Sequence, residues 1–471
     1  MKRIAEFLVV VSVPLVVVLV ALSGFAEEVN QNIEQAGYIQ TEIWSKVNND
    51  SNHEFLSSLK TTVDLESQYR LSDNWYFFFH PRYFYDFAYD IRDEFDPNQE
   101  SMGNTQRTEW LRDCYLDYIS DELDVRLGKQ QVVWGQMDLP ILDRVMPWDL
   151  SWWWLPDLAD MRIPLWMAKV EYSPSLDSSL QFLLIPDSET TRVGLENTPF
   201  AFKSTNDFFK VKRRVESAGG SMNVSLLKPA KKFENSTFGL RWRAFAGDWE
   251  YTLNWLYGYS TSDYLYLDAL KNVSGYLGSV PVGDYYYARR HKRIQLWGLS
   301  FNRSFVDPGV LEGLTLKGEF AYVHDEPTYY GVSGSRKITE VSDKYNYGIA
   351  LEKYFFTKWL FALQFLQFIT NDYSREGYKL LDNASYGLQD KVETYLTLKI
   401  KTHFMHGRLK PDILLVYQDD NSGRIVPKFN FELRDDLWVQ LGYAHFYGRI
   451  DTPNGEFRNN DQIFSKVKYT F

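Results

Sequence analysis

A regular succession of strand-length segments, joined by connections of alternating length, constrains this chain more than any other feature. Eighteen segments between residues 36 and 471 have the composition of β-strands, and several alternate apolar with polar side chains. Connections after even-numbered segments are short, for example residues 71–74 and 247–248. Connections after odd-numbered segments are mostly long, for example residues 134–164 and 187–236. The pattern predicts an all-β fold, a transmembrane antiparallel up-and-down β-barrel of about eighteen strands with long extracellular loops and short periplasmic turns.

The predicted strands can be assigned along the whole chain. They are residues 36–47, 58–70, 75–90, 106–119, 124–133, 165–173, 179–186, 237–246, 249–260, 292–304, 314–325, 344–354, 358–370, 389–402, 408–418, 424–433, 437–447 and 461–471. Because the number of strands is even, both termini of the barrel domain are expected on the periplasmic side of the membrane.

Both ends of the chain fit an exported barrel. Residues 1–26 begin with Lys2 and Arg3, continue with an apolar run, and end on small residues, which predicts a secretory signal peptide. An uncleaved membrane helix is the alternative interpretation. Residues 27–471 are then a single barrel domain. The last predicted strand ends on Phe471 and resembles the C-terminal strand that the outer-membrane assembly machinery recognises, so that machinery is an expected partner.

The composition agrees with a barrel and excludes several other classes of protein. Aromatic residues make up 17 % of the chain, yet the mean hydropathy is only −0.36, as expected when half of each strand faces water. Cys114 is the only cysteine, so an intramolecular disulfide is impossible. The net charge of −11 argues against nucleic acid as a partner.

The polar faces of the strands predict a water-filled interior, because a barrel of about eighteen strands is too wide for side chains to fill. On strands with clear alternation the inward charges are mostly basic. Candidate lumen charges are Lys60, Arg82, Arg241, Arg243, Lys399 and Lys401. One interpretation is a mixed, solvated wall with internal salt bridges. The other is a preference for anionic solutes.

The connection 134–164 carries an unusual density of tryptophan and proline and lacks strand alternation. So much aromatic surface is unfavourable in water. We therefore predict that residues 134–164 fold into the barrel as a plug or constriction, where they could contact an apolar solute. The candidate residues are Trp134, Trp148, Trp152, Trp153, Trp154 and Arg162. A loop packed only for stability and a loop lying on the outer leaflet are the alternatives.

The same region resembles a known family. The stretches 128–135 (GKQQVVWG), 145–149 (VMPWD), 162–167 (RIPLWM) and 108–118 (TEWLRDCYLDY) resemble proteobacterial outer-membrane proteins grouped as domain of unknown function 1302. Gln136 and Met146 stand where that family usually has Glu and Asn. The resemblance implies a porin-like protein, often suspected of moving hydrophobic compounds, with no established reaction. The chain also resembles alginate-export barrels in its general appearance.

Catalytic and cofactor motifs are missing from the sequence. There is no Gly-x-Ser-x-Gly elbow, no His-Glu-x-x-His and no Cys-x-x-Cys-His, so we predict no catalytic residue, no metal and no cofactor. The predicted function is a porin-like channel for passive uptake or export of small solutes, with hydrophobic and anionic compounds as candidates. A non-conducting barrel with a structural or surface-interaction role is the alternative, and an outer-membrane hydrolase is a second one.

Loop charges suggest two further interactions. The basic stretches 210–214 (KVKRR) and 289–293 (RRHKR) belong to extracellular loops and could bind the phosphates of lipopolysaccharide, gather anionic solutes, or be simply solvated. Outer-membrane lipid and lipopolysaccharide are therefore expected partners. The acidic stretch 90–100 has carboxylates but lacks the spacing of a calcium loop.

Overall fold

Eighteen strands form one closed antiparallel sheet in this computed structural model. The structure describes residues 32–47, 56–92, 110–230, 232–278, 280–329, 339–371, 390–450 and 452–471. The barrel strands are β1 (Ile33–Lys46), β2 (Leu56–Arg70), β3 (Trp75–Asp86), β4 (Leu111–Ile119), β5 (Leu123–Gln130), β6 (Leu165–Ser175), β7 (Ser178–Ile185), β8 (Thr237–Ala246), β9 (Trp249–Tyr259), β10 (Arg293–Ser304), β11 (Leu314–Tyr329), β12 (Thr339–Phe355), β13 (Trp359–Thr370), β14 (Val392–Lys401), β15 (Leu409–Gln418), β16 (Ser422–Arg434), β17 (Leu437–Tyr447) and β18 (Gln462–Thr470).

The predicted fold class and the number of strands are confirmed. Each of the eighteen predicted segments corresponds to one barrel strand. The third segment was predicted too long, since β3 ends at Asp86 and the short helix α1 (Ala88–Ile91) follows. The predicted signal peptide 1–26 and most of the acidic stretch 90–100 lie outside the described residues.

The barrel closes through its first and last strands. β1 pairs antiparallel with β18 from Tyr38 opposite Thr470 to Lys46 opposite Gln462. Beyond β18, Gly37 and Phe471 exchange two backbone hydrogen bonds, at 2.9 and 3.0 Å. Closure leaves no unpaired strand edge, which is the condition for a sheet to span a membrane.

The two faces of the sheet have opposite character. On β9, Leu253 points outward and is half exposed, whereas its neighbours Thr252 and Asn254 point into the barrel and are buried. Trp75, Trp249 and Trp359 are the first residues of strands that follow short turns, where aromatic side chains mark the membrane interface. Within the described residues no helix is long and apolar enough to cross a membrane. The closed barrel with an apolar outer surface is an integral, multi-pass architecture of the outer-membrane type.

The long connections contain folded structure that the sequence pattern did not predict. Helix α2 (Leu158–Met161) lies in the Trp-rich connection, and helix α3 (Lys203–Ser217) lies in the connection between β7 and β8. A three-stranded sheet joins Ser221–Leu226, Tyr264–Leu277 and Val280–Arg290. One apolar cluster that includes Val215 and Tyr287 packs α3 on this sheet. Two further strands, of two residues each, pair Asp149–Leu150 with Arg192–Val193.

Candidate functional site: the loop inside the lumen

The first part of the 134–164 connection packs against the inner wall of the barrel. The largest apolar cluster joins loop residues with inward-facing residues of β6, β7 and β9–β13. Its members within or just before this connection are Val132, Trp134, Met137, Leu139, Ile141, Leu142, Val145 and Met146. The wall residues Leu183, Leu296 and Leu366 are completely buried. Since these side chains point into the lumen, only a loop inside the barrel can shield them from water.

Glycines on the wall make room for two of these loop side chains. A Cβ atom at Gly239 would lie 2.8 Å from the Trp134 ring, and one at Gly298 would overlap the Leu142 side chain. Real Cβ atoms do not approach other heavy atoms so closely. The loop therefore occupies recesses that exist because the wall carries glycine at these positions.

Polar groups of the wall bind the loop backbone. The Glu319 carboxylate on β11 accepts hydrogen bonds from the N–H groups of Gln136 and Leu142. The Gln364 side chain on β13 accepts one from Asp138 N at 3.1 Å. Trp134 Nε1 donates to Gln181 Oε1 at 2.8 Å. A loop without regular structure needs such partners, because buried N–H groups without hydrogen bonds are costly.

The second part of the connection packs against the opposite wall. Trp152 lies 5.2 Å from Trp44 of β1 between ring centroids, and Trp153 lies 5.5 Å from Phe457 of the last long loop. Their cluster also includes inward residues of β16, β17 and β18, such as Phe464. The connection thus crosses the lumen from the β6–β13 arc to the β1 and β16–β18 arc.

Arg162 and Trp148 join the two parts of the connection. The Arg162 guanidinium binds Asp143 Oδ2 at 2.6 Å and stacks on the Trp148 ring at 5.1 Å. Burial raises the pKa of the Asp143 carboxyl above its usual value, and the nearby Arg162 only partly opposes this effect. Trp154 packs beside Trp148 at 5.5 Å between ring centroids.

An ion pair between Arg82 and Asp160 connects the loop to the β1–β5 arc. Arg82 on β3 binds Asp160 of α2 at 2.8 Å and Asp64 of β2 at 3.1 Å. Arg112 on β4 donates to the Ala159 carbonyl beside it. Burial opposes ionisation of Asp160, but Arg82 and Arg112 outweigh it and hold the pKa of this carboxyl below its usual value.

Two cavities lie along the β1–β5 arc, one on each side of this ion pair. The cavity toward the extracellular end is about 170 Å³ and is lined by residues such as Trp44, Lys60 and Trp152. The cavity toward the periplasmic end is about 470 Å³ and is lined by residues such as Tyr38 and Lys468. The residues that line both cavities are Gln40, Arg82, Arg112, Asp160 and Lys466.

The inner wall is a mixed array of charges, most of which are paired. Some strands lack a clear alternation of apolar and polar residues, so their inward faces could not be assigned from the sequence. These strands contribute inward carboxylates such as Glu42 and Asp117. Glu42 binds Lys60 at 2.5 Å and Lys466 at 3.3 Å, and Asp117 binds Arg126 at 2.6 Å. On strands with clear alternation the inward charges are mostly basic, and carboxylates from the other strands largely balance this positive charge.

The six predicted lumen charges all lie at inward-facing positions, but only two line the cavities. Lys60 lines the extracellular cavity, and Arg82 lines both cavities. Arg241 donates to the Val133 carbonyl of the loop, and Arg243 binds Glu250 at 2.6 Å. Lys401 lies 3.6 Å from Asp412, and Lys399 forms no side-chain hydrogen bond or ion pair within the described residues.

Several residues of this site were not among the predicted ones. Asp160, Arg112 and Glu319 hold the loop in place, yet their partners lie far away in sequence, so no local pattern marks them. His80 is buried between Asp64, at 2.9 Å, and Asp113, at 3.3 Å. The only indication in the sequence that His80 faces the lumen was its position on β3, where His80 and Arg82 alternate with outward aromatic residues.

Most lysines and arginines of the two basic stretches, 210–214 and 289–293, form ion pairs within the protein. Arg213 of α3 binds Glu196, and Arg289 and Arg290 bind Asp263 and Asp268. These pairs reduce the positive charge available for a phosphate. Binding of lipopolysaccharide by the two stretches stays a prediction.

The whole chain was compared with known proteins. A family model described as a protein of unknown function, DUF1302, matches residues 29–339, which is most of the chain. The chain belongs to this family. The resemblance seen in the sequence between residues 108 and 167 is thereby confirmed. No curated protein matches the sequence.

Solved structures share the fold at very low sequence identity. OccAB4 of Acinetobacter baumannii is 12 % identical, with a TM-score of 0.51 over 94 % of this chain and 100 % of that chain. A BenF-like porin from Pseudomonas fluorescens Pf-5 is 9 % identical, with a TM-score of 0.51 over 93 % of this chain and 97 % of that one. OccK1 of Pseudomonas aeruginosa is 7 % identical, with a TM-score of 0.50 over 94 % of this chain and 99 % of that chain. These likenesses show a porin-like barrel fold and nothing finer.

Proposed function

We propose that the protein is an outer-membrane channel for passive movement of small solutes and that the loop 134–164 is its constriction. The observation that carries this proposal is the pair of cavities inside a closed barrel, which meet at Arg82 and Asp160. The first part of the loop fills the β6–β13 side of the lumen, whereas the two cavities lie on the β1–β5 side. A solute would therefore pass along the β1–β5 wall, and the Arg82–Asp160 contact would be the narrowest point.

The periplasmic cavity suggests which small solutes would bind on this route. Its volume of about 470 Å³ lies within the range of about 300–1,000 Å³ that is typical of small-molecule sites. Lys468 stacks on Tyr38 at 3.7 Å and on Trp438 at 5.8 Å, and no carboxylate within the described residues forms an ion pair with it. An available cation beside aromatic rings favours solutes that combine an anionic group with an apolar body.

Solute uptake by liposomes tests the proposal. Purified protein in liposomes should produce swelling with small uncharged sugars and faster swelling with small aromatic carboxylates. Lys468→Gln should remove the preference for carboxylates and leave sugar uptake unchanged. No swelling with any of these solutes would contradict the channel, whereas an unchanged preference in Lys468→Gln would contradict only the assignment of solute class.

A non-conducting barrel with a role at the cell surface is the second candidate. It is favoured by the extracellular structure of α3 and the three-stranded sheet, which has its own apolar core. This candidate predicts no swelling and no conductance from the wild-type protein.

The hydrolase alternative gains no support from the imidazole–carboxylate pairs at the extracellular end. His324 binds Asp343 and His445 binds Asp461, both at 2.8 Å. All four residues lie near the extracellular ends of their strands, and none of them lines the two lumen cavities. We therefore propose no reaction for this protein.

A further inference from the structure

Two lysines on the outer surface of the barrel stand out at its periplasmic end. Lys353 of β12 points outward, because its neighbour Glu352 points inward and binds Lys317 at 2.6 Å. Lys358 belongs to the short turn between β12 and β13. Within the described residues, neither lysine forms an ion pair with a carboxylate. Several exposed lysines of the extracellular loops, such as Lys210 and Lys232, do have such partners.

Aromatic rings lie beside both lysines. Lys353 Nζ is 5.8 Å from the Phe355 ring, and Lys358 Nζ is 4.8 Å from the Phe404 ring in the next turn. Phe404 in turn packs edge-on against Trp359 at 6.0 Å. A cation over an aromatic face keeps its charge available to an anion on its other side.

These groups lie at the level of the membrane interface. Trp359 is the first residue of β13 and pairs with Phe355, whereas Lys353 pairs with Phe361. Lys353 is thus two residues deeper toward the membrane centre than Trp359. An outward-facing ammonium at this depth reaches the headgroup region of the lipids, where it needs an anionic neighbour.

The turns on this side of the barrel also expose apolar side chains in unusual conformations. Phe356 is 87 % exposed with φ of 50°, and Met405 is 61 % exposed with φ of 53°. Positive φ values favour Gly or Asn, so two bulky residues at such positions are uncommon. Both turns retain an apolar side chain where a polar turn residue would fit the backbone better.

The remaining short turns have the opposite charge. Their acidic residues are Asp73, Asp121, Glu122, Asp177, Asp248, Asp307, Glu312, Asp435 and Asp436. The turns 356–358 and 402–408 therefore form the one basic side of the periplasmic end of the barrel, and the acidic turns lie elsewhere.

We propose that this side, comprising Lys353, Phe355, Phe356, Lys358 and Phe404, binds anionic phospholipids of the periplasmic leaflet. The ammonium groups would contact the negatively charged headgroups, and the aromatic rings would pack on the adjoining acyl chains. A membrane lipid fits better than a periplasmic protein, because Lys353 and Trp359 project from lipid-facing positions of the barrel wall. The proposal is independent of whether the lumen conducts.

Native mass spectrometry of the detergent-solubilised protein tests this site. Phosphatidylglycerol should bind more tightly than phosphatidylcholine, and Lys353→Gln/Lys358→Gln should weaken phosphatidylglycerol binding by about fivefold for each lysine removed. The charge-conserving variant Lys353→Arg/Lys358→Arg should bind as the wild type does. The matched control is Lys210→Gln/Lys232→Gln, which removes the same charge from extracellular residues whose side chains are each 66 % exposed.

Three results would overturn the proposal. The first is equal affinity of the wild type for the two phospholipids, and the second is unchanged phosphatidylglycerol affinity in Lys353→Gln/Lys358→Gln. The third is an equal loss in the Lys210→Gln/Lys232→Gln control, which would point to charge alone rather than to this surface.

Discussion

Asp160 lies between a cation of the barrel wall and the space through which a solute would move. Its carboxylate binds Arg82, and both residues line the two lumen cavities. The Asp160 side chain is 49 % exposed and that of Arg82 is 17 % exposed, so solvent screens the pair. A partly solvated ion pair contributes on the order of 1 kcal/mol, which is about a fivefold change in an equilibrium. A contact of this strength favours the closed constriction but still allows it to open.

Replacing Asp160 by Asn should loosen the constriction. We expect the ratio of open to closed time in single-channel records to rise about fivefold, because the variant loses the ion pair and keeps the side-chain size. Asp157→Asn is the matched control, since Asp157 is in the same segment, is 81 % exposed, and lies 4.0 Å from its nearest cation, Lys428. Equal effects of the two substitutions would argue against a specific role for Asp160.

The same contact predicts a pH dependence. The pKa of Asp160 is lowered from 3.8 in the folded protein, so the ion pair is intact at higher pH and is lost as the pH falls through the lowered value. The part of the open-time change that depends on Asp160 should therefore appear only below the ordinary pKa of Asp. This part is measured as the difference between the wild type and Asp160→Asn, and a difference that changes near neutral pH would contradict the assignment.

At the scale of elements, the inward position of the loop depends on wall residues far away in sequence. Trp density in residues 134–164 predicted that the loop would avoid water, but it could not indicate which wall receives it. That choice depends on glycines of β8, β10 and β12, such as Gly298 and Gly348, whose recesses hold Leu142 and Ile141. No local pattern distinguishes such glycines from those in turns.

Filling one of these recesses should release the first part of the loop. Gly298→Val would overlap the Leu142 side chain and should destabilise the packed loop by about 1–3 kcal/mol, the usual effect of overpacking. Limited proteolysis should then cleave within residues 137–161 faster than in the wild type. Gly275→Val is the control, because a Cβ atom at Gly275 meets nothing within 4 Å. Unchanged cleavage in Gly298→Val would show that this recess does not hold the loop.

The folded structure of the extracellular loops could not be predicted from periodicity. Ser221–Leu226 pairs in parallel with residues 284–289, about sixty positions further along the chain. A pairing of this kind leaves no trace in local alternation, and the apolar residues of α3 are few. The sequence pattern accordingly indicated two long loops where the structure has a helix on a small sheet.

At the scale of the whole molecule, the barrel could be predicted because each strand shows its two environments in its own sequence. Each strand must present alternate residues to lipid and to water, so the period of two is visible in the sequence of β2, β3 and β14. Turn length then distinguishes the two ends of the barrel. The charge character of the lumen was less predictable, because inward carboxylates such as Glu42 and Asp113 lie on strands without clear alternation.

The central claim is that a solute route passes the loop inside the barrel. Single-channel conductance in planar bilayers tests it most directly, with the wild type compared to a variant lacking residues 137–161. We expect small, fluctuating conductance from the wild type and a large, steady conductance from the deletion variant, because eighteen strands without the loop enclose a wide aqueous pore. Absence of conductance from both proteins, with both shown to be folded, would contradict the channel and support the non-conducting barrel.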